Sequence, residues 1–139
     1  MRIFCNRLCT SLLSVLLFFA ICAPRPAPVF TGGNNYVYYL YDSGSNCAIL
    51  QVEPNTPKPA FCYVSGESCT YADRSATDVL AEFGAEVLFL EKIDGITNYY
   101  AYSPRLPYRI TLYGQTVNLH VAEKARGICV GSPIIFGGY

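Results

Sequence analysis

The chain has 139 residues, which leaves room for one domain and no second. Ten Lys plus Arg stand against ten Asp plus Glu for a formal net charge of +0, and 14% charged with 52% hydrophobic side chains is a globular balance. A partner bound mainly through a strong overall field is disfavoured, nucleic acid first among them.

The N-terminus reads as an address. Arg2 and Arg7 make a short basic leader, and Leu12, Leu13, Val15, Leu16, Leu17, Phe18, Phe19, Ala20 and Ile21 form an apolar run ending at Cys22-Ala23-Pro24. That run is shorter than the ~20 residues of a membrane-crossing helix and matches a signal-peptide core. Residues 1–22 are therefore expected to direct export. An uncleaved membrane anchor or a lipid attached at Cys22 are the alternatives, since Ile21 and Cys22 fit a small-x-small cleavage site poorly. Removing 22 of 139 residues leaves 117, and the loss of Arg2 and Arg7 leaves eight basic against ten acidic side chains. Residues 23–34, with Pro24, Pro26 and Pro28, read as an extended tether because proline fixes φ and lacks a donor. Residues 35–139 then form the domain.

Of seven cysteines, Cys5, Cys9 and Cys22 belong to the leader, leaving Cys47, Cys62, Cys69 and Cys129 with three ways to pair. Cys62 and Cys69 flank the polar stretch Ser65-Gly66-Glu67-Ser68 and are the nearest candidates for a disulfide. The alternative is that these are small buried apolar residues. No short Cys-x-x-Cys or recurring His spacing suggests zinc, and no glycine loop suggests a phosphate-bearing cofactor. No metal or cofactor is expected.

Tyr36 to Tyr41 is β-branched and aromatic, and Asp42, Ser43, Gly44, Ser45 and Asn46 separate it from a second strand, Cys47 to Val52, as in a hairpin. Pro54, Pro57 and Pro59 mark a surface loop. Phe61 to Val64 and Ser68 to Tyr71 are expected as two short strands about Gly66. Ser75 lies three residues before Asp78, approximating a capping box, and Ala76, Val79, Leu80 and Phe83 make one helical face that Gly84 closes. A strand from Glu86 to Ile93 turns at Asp94-Gly95 into Ile96 to Ser103. After Pro104-Arg105-Leu106-Pro107, strands are expected over Tyr108 to Tyr113, Thr116 to Glu123, Ile128 to Val130 and Pro133 to Phe136. In the second, Val117, Leu119 and Val121 alternate with Asn118 and His120, the pattern of a sheet with one covered face. The fold class is α+β: a curved antiparallel sheet with one helix packed on one face.

The segments Gly84-Ala85-Glu86-Val87, Glu91-Lys92-Ile93-Asp94-Gly95-Ile96, Tyr100-Ala101-Tyr102-Ser103-Pro104, Val117-Asn118-Leu119-His120-Val121-Ala122 and Val130-Gly131-Ser132-Pro133-Ile134-Ile135 resemble the C-terminal part of the YwmB family. The resemblance implies an exported protein of spore-forming bacteria with a fold like the TATA-box-binding protein. This chain is long enough for about half of that saddle. DNA binding is not expected to follow from the fold, because a minor-groove binder needs basic groups on its concave sheet and this chain is not basic.

Cys129 with His120 and Asn118 is the sharpest catalytic constellation, since a thiolate nucleophile needs an imidazole and an orienting group. It is the chain's single His, and no nucleophile signature surrounds Cys129. Twelve Tyr and no Trp point instead to contact, with Tyr100 and Tyr102 as the candidate surface and strand propensity as the competing explanation. The expected function is a non-enzymatic interaction module outside the membrane, linked to sporulation by the family resemblance. Its partner is an envelope protein or cell-wall component, and only the N-terminal segment meets the membrane. A cell-wall-directed enzyme or a wall-polysaccharide binder are the alternatives.

Overall fold

The computed structural model describes residues 2–41 and 47–137, with residues 2–10 as backbone alone. The turn formers Asp42 to Asn46 lie outside the described residues. The N-terminal segment is a helix, α1 (Arg2–Cys22), whose side chains from Ser11 to Cys22 are all exposed. No helix among the described residues is long and apolar enough to cross a membrane.

Seven strands form one open antiparallel sheet: β1 (Asn34–Leu40), β2 (Ala48–Val52), β3 (Val64–Tyr71), β4 (Glu86–Ile93), β5 (Ile96–Tyr102), β8 (Leu119–Glu123) and β9 (Ile128–Ser132), in the order β2-β1-β3-β9-β8-β5-β4. A separate hairpin holds β6 (Ile110–Leu112) and β7 (Gln115–Val117). The expected first hairpin is present, with Tyr36 opposite Val52 and Leu40 opposite Ala48. The β4–β5 hairpin turns at Asp94 and Gly95, both with positive φ (51° and 79°), as a tight Asp-Gly turn requires.

The second helix, α2 (Ala76–Phe83), follows the sequence signals at both ends. Ser75 accepts from the Asp78 N–H, the Asp78 carboxylate accepts from the Ser75 N–H, and Gly84 stops the helix in the left-handed conformation. Ala76 and Val79 are fully buried and pack with Leu119, Val121 and Val130 on one face of the sheet. Phe30 closes this layer from the side, with its ring edge-on to Phe83 at 5.6 Å.

Phe30 corrects the expected tether. It is fully buried, and its neighbours are tied down: the Tyr71 hydroxyl donates to Thr31 O at 2.9 Å, and Lys58 N–H donates to Pro26 O at 3.1 Å. The packed unit therefore begins before residue 35. Burying one such ring contributes about 1.5 to 3 kcal/mol, ample reason for the segment not to hang free.

Four further expectations change. Phe61 to Tyr71 does not hold two strands about a turn: β3 runs unbroken from Val64 to Tyr71, with Gly66 passing so close to Ser132 O that an added Cβ would sit 2.6 Å away. The expected strand Thr116 to Glu123 breaks at Asn118, whose side chain accepts from Ser103 N–H at 2.7 Å and donates to Ser103 O at 2.6 Å. Pro133 to Phe136 is not a strand; it turns across the sheet and is held by bonds to His120 and Tyr39. β8 is consequently buried on both faces, where the sequence suggested one.

Candidate functional site

The face of the sheet opposite α2 carries a run of aromatic rings. Side chains alternate along a strand, so residues opposite one another in neighbouring strands share a face. Phe89 of β4 lies opposite Tyr100 of β5, and Tyr100 lies opposite His120 of β8. The three rings stack nearly parallel: Phe89 to Tyr100 at 4.6 Å and 19°, Tyr100 to His120 at 4.5 Å and 15°. Tyr113, in the turn between β6 and β7, stands edge-on to Phe89 at 5.5 Å and is 83% exposed. A cavity of about 470 Å³ opens here, walled by Glu91, Tyr100, Tyr113, His120 and the C-terminal Ile134 and Ile135.

His120 forms the floor. Its Nδ1 accepts from the Ile135 N–H at 3.3 Å, so Nε2 carries the proton and donates to Asn98 Oδ1 at 3.1 Å. Burial pushes its pKa down to about 4, leaving the imidazole neutral at physiological pH. The Tyr100 hydroxyl donates to Glu91 Oε2 at 3.3 Å, which fixes the carboxylate at the wall.

Each sequence candidate has a definite place. Tyr100 belongs to this site, but with Phe89 on one side and His120 on the other only its edge meets the cavity. Tyr102, two residues on and on the same face, is half-buried with the Arg109 guanidinium 6.0 Å above its ring. Asn118 does not orient His120; it pins the loop at Ser103 and Leu106, and Asn98 makes the imidazole contact instead. Cys129 is buried and its thiol is pushed up to about 11, far from the thiolate a nucleophile needs.

Cys62 and Cys69 are both free thiols, so the candidate disulfide is absent. Cys62 is exposed before β3 begins, whereas Cys69 is buried on the α2 face, where burial pushes its thiol up to about 12. With Ser65 to Ser68 in a strand, no turn brings the two sulfurs together. Cys69 and Cys129 do not substitute as a pair, because Cys129 lies opposite Thr70 and so faces the other side of the sheet.

A second polar centre lies within the α2 face. Glu67 of β3 is fully buried. Its Oε2 accepts from the Tyr36 hydroxyl and from Val29 N–H at 2.8 Å, and its Oε1 meets Lys58 Nζ at 3.1 Å as an ion pair outside hydrogen-bonding geometry. The Lys58 ammonium also lies 5.0 Å above the Tyr108 ring. Burial, reinforced by Glu67, raises the Tyr36 and Tyr108 hydroxyl pKa values, so both stay protonated. The cluster joins the N-terminal segment, β1, the proline loop and β3.

Sequence inspection missed Phe89, Asn98, Tyr113 and Glu67. A signal existed for Phe89: counting back from the Asp94-Gly95 turn places it opposite Tyr100. None existed for Asn98 against His120, because the pairing of β5 with β8 skips an intervening hairpin. Among the described residues, no group of His, Cys, Asp and Glu side chains could hold a metal ion. Comparison with protein-family models, curated proteins and solved structures gives no match.

Proposed function

We propose that this chain is an exported, non-enzymatic interaction module acting outside the cytoplasmic membrane, with its contact surface on the sheet face opposite α2. The observation that carries this reading is Tyr113, an 83% exposed ring held edge-on against Phe89 at the mouth of the 470 Å³ cavity. A ring braced by other rings loses little side-chain freedom on contact, and tyrosine offers an apolar body with a polar tip. Tyr100 and Tyr102 contribute edges to the same surface.

Two observations favour binding over catalysis. Both His120 nitrogens are engaged in the fold, and Cys129 is held as a thiol. The kinship with the YwmB family and with half of a TATA-box-binding-protein-like saddle is part of this proposal. Its support is placement, since the resembling segments fall on β4, β5, β8 and β9, four adjacent strands of one sheet. The link to sporulation follows from that kinship. A wall polysaccharide is the second reading for the partner, favoured by the Glu91 carboxylate beside the Tyr113 ring: a sugar offers hydroxyls to one and C–H faces to the other.

Retention on isolated cell wall and on envelope proteins of a spore-forming host tests the reading. Tyr113→Ala should lower retention about tenfold or more while leaving the unfolding midpoint unchanged. Cys129→Ser should leave retention intact. Equal retention of the wild type and Tyr113→Ala contradicts the assigned surface, and a turnover abolished by Cys129→Ser contradicts the non-enzymatic reading.

A further inference from the structure

The end of the domain where α1 arrives carries aromatic rings that the fold does not use. Phe61 is 91% exposed, Tyr63 71% and Tyr41 68%, with Tyr41 and Tyr63 edge-on at 6.0 Å. Phe61 holds a positive φ of 63°, uncommon for a bulky residue, in a turn that directs the ring into open space. Tyr41 N–H donates to Tyr63 O at 2.9 Å, tying the group to the end of β1.

Two observations indicate what covers these rings. A helix with apolar side chains on nearly all sides belongs in an apolar surrounding, and from Leu12 to Ile21 α1 leaves its Leu, Val, Phe and Ile side chains 52–68% exposed, with Ser14 alone interrupting the run. That helix leads straight into the ring cluster: Ala20 and Ala23 share one cavity of about 440 Å³ with Phe61 and Tyr63. Of the two charged side chains lining that cavity, Lys58 is paired with Glu67, and the exposed one, Arg25, is the cation that meets anionic lipid headgroups. Phe and Tyr beside the exit of an apolar helix match the aromatic residues that settle at a membrane-water boundary.

We infer that the loop around Phe61, with Tyr63 and Tyr41, is a lipid-contacting surface that seats the domain on the bilayer beside α1. This rests on α1 staying attached to the exported domain, the membrane-anchor alternative for residues 1–22, and goes beyond it, since the folded domain itself then meets the membrane.

The chain has no Trp, so a single introduced Trp reports its own surroundings. Full-length Phe61→Trp, Tyr63→Trp and Tyr113→Trp, each reconstituted with phosphatidylcholine and phosphatidylglycerol vesicles, are compared by emission and by quenching with lipids brominated on the acyl chain. Trp at 61 and at 63 should shift to shorter wavelength and be quenched, while Trp at 113, beside Phe89 at a separate cavity, should keep the emission of a water-exposed indole. If the chain floats with vesicles but Trp at 61 behaves like Trp at 113, the docking surface is wrong and the lipid-facing helix stands. If the chain does not float, α1 is not lipid-facing and both fall.

Discussion

The two faces of the sheet use polar and aromatic groups in opposite ways. On the α2 face, Tyr36, Tyr38 and Glu67 are turned inward and tie down distant parts of the same chain, at Val29, Phe30, Thr56 and Lys58. On the other face, Phe89, Tyr100 and His120 build an internal stack that stops at an exposed ring, Tyr113. The first arrangement fastens segments far apart in sequence. The second leaves a braced aromatic edge open to a partner. Tyrosine abundance alone therefore does not locate a binding surface; the position of each ring across the sheet does.

The sharpest way to break this contrast is at Glu67. Glu67→Ala leaves the partly buried Lys58 without its counter-charge and the Tyr36 hydroxyl and Val29 N–H without their acceptor, a loss of about 3 kcal/mol. Urea unfolding should register that loss, and adding Lys58→Met should recover part of it. A change within experimental error would show that the cluster does not fasten the fold. Phe30→Ala should cost a similar 3 to 5 kcal/mol and would confirm that the N-terminal segment is part of the core.

The opposite face makes a pH prediction. His120 has a folded pKa of about 4 against 6.5 unfolded, so the unfolded chain binds the extra proton between those values. The stability that neutral His120 contributes is fully present above pH 6.5 and is lost as pH falls towards 4. The loss is on the order of 3 kcal/mol, and His120→Gln should flatten that part of the profile. The slope between about pH 5 and 6.5, the upper part of that window, is the diagnostic part. The smallest expected effect is at the α2 cap, where Ser75→Ala should cost about 1 kcal/mol and leave both faces unaltered.

Local features were legible in the sequence. Ser75, Asp78 and Gly84 mark α2 to the residue, and Asp94-Gly95 marks the β4–β5 turn, because caps and tight turns are decided by neighbours within a few positions. Features set by distant chain were not. Gly66 and Glu67 look like turn residues in isolation, yet β3 passes straight through them because Ser132 lies against Gly66 and Tyr36 and Lys58 satisfy Glu67. Phe30 looks like part of a proline tether until Phe83 is brought beside it. Of the proposed contact surface, Tyr100 and Tyr102 were readable as strand aromatics, whereas the exposed ring there, Tyr113, sits in a turn that no aromatic pattern singles out.

The central claim is that a folded interaction module is delivered outside the cytoplasm, and intact mass on cell fractions of a spore-forming host, sampled through growth and sporulation, tests it most directly. The account predicts a species outside the cytoplasm, in the membrane, wall or secreted fraction, whose Cys47 and Cys62 alkylate while folded and whose Cys69 and Cys129 alkylate only after unfolding. A full-length chain confined to the cytoplasm would contradict it.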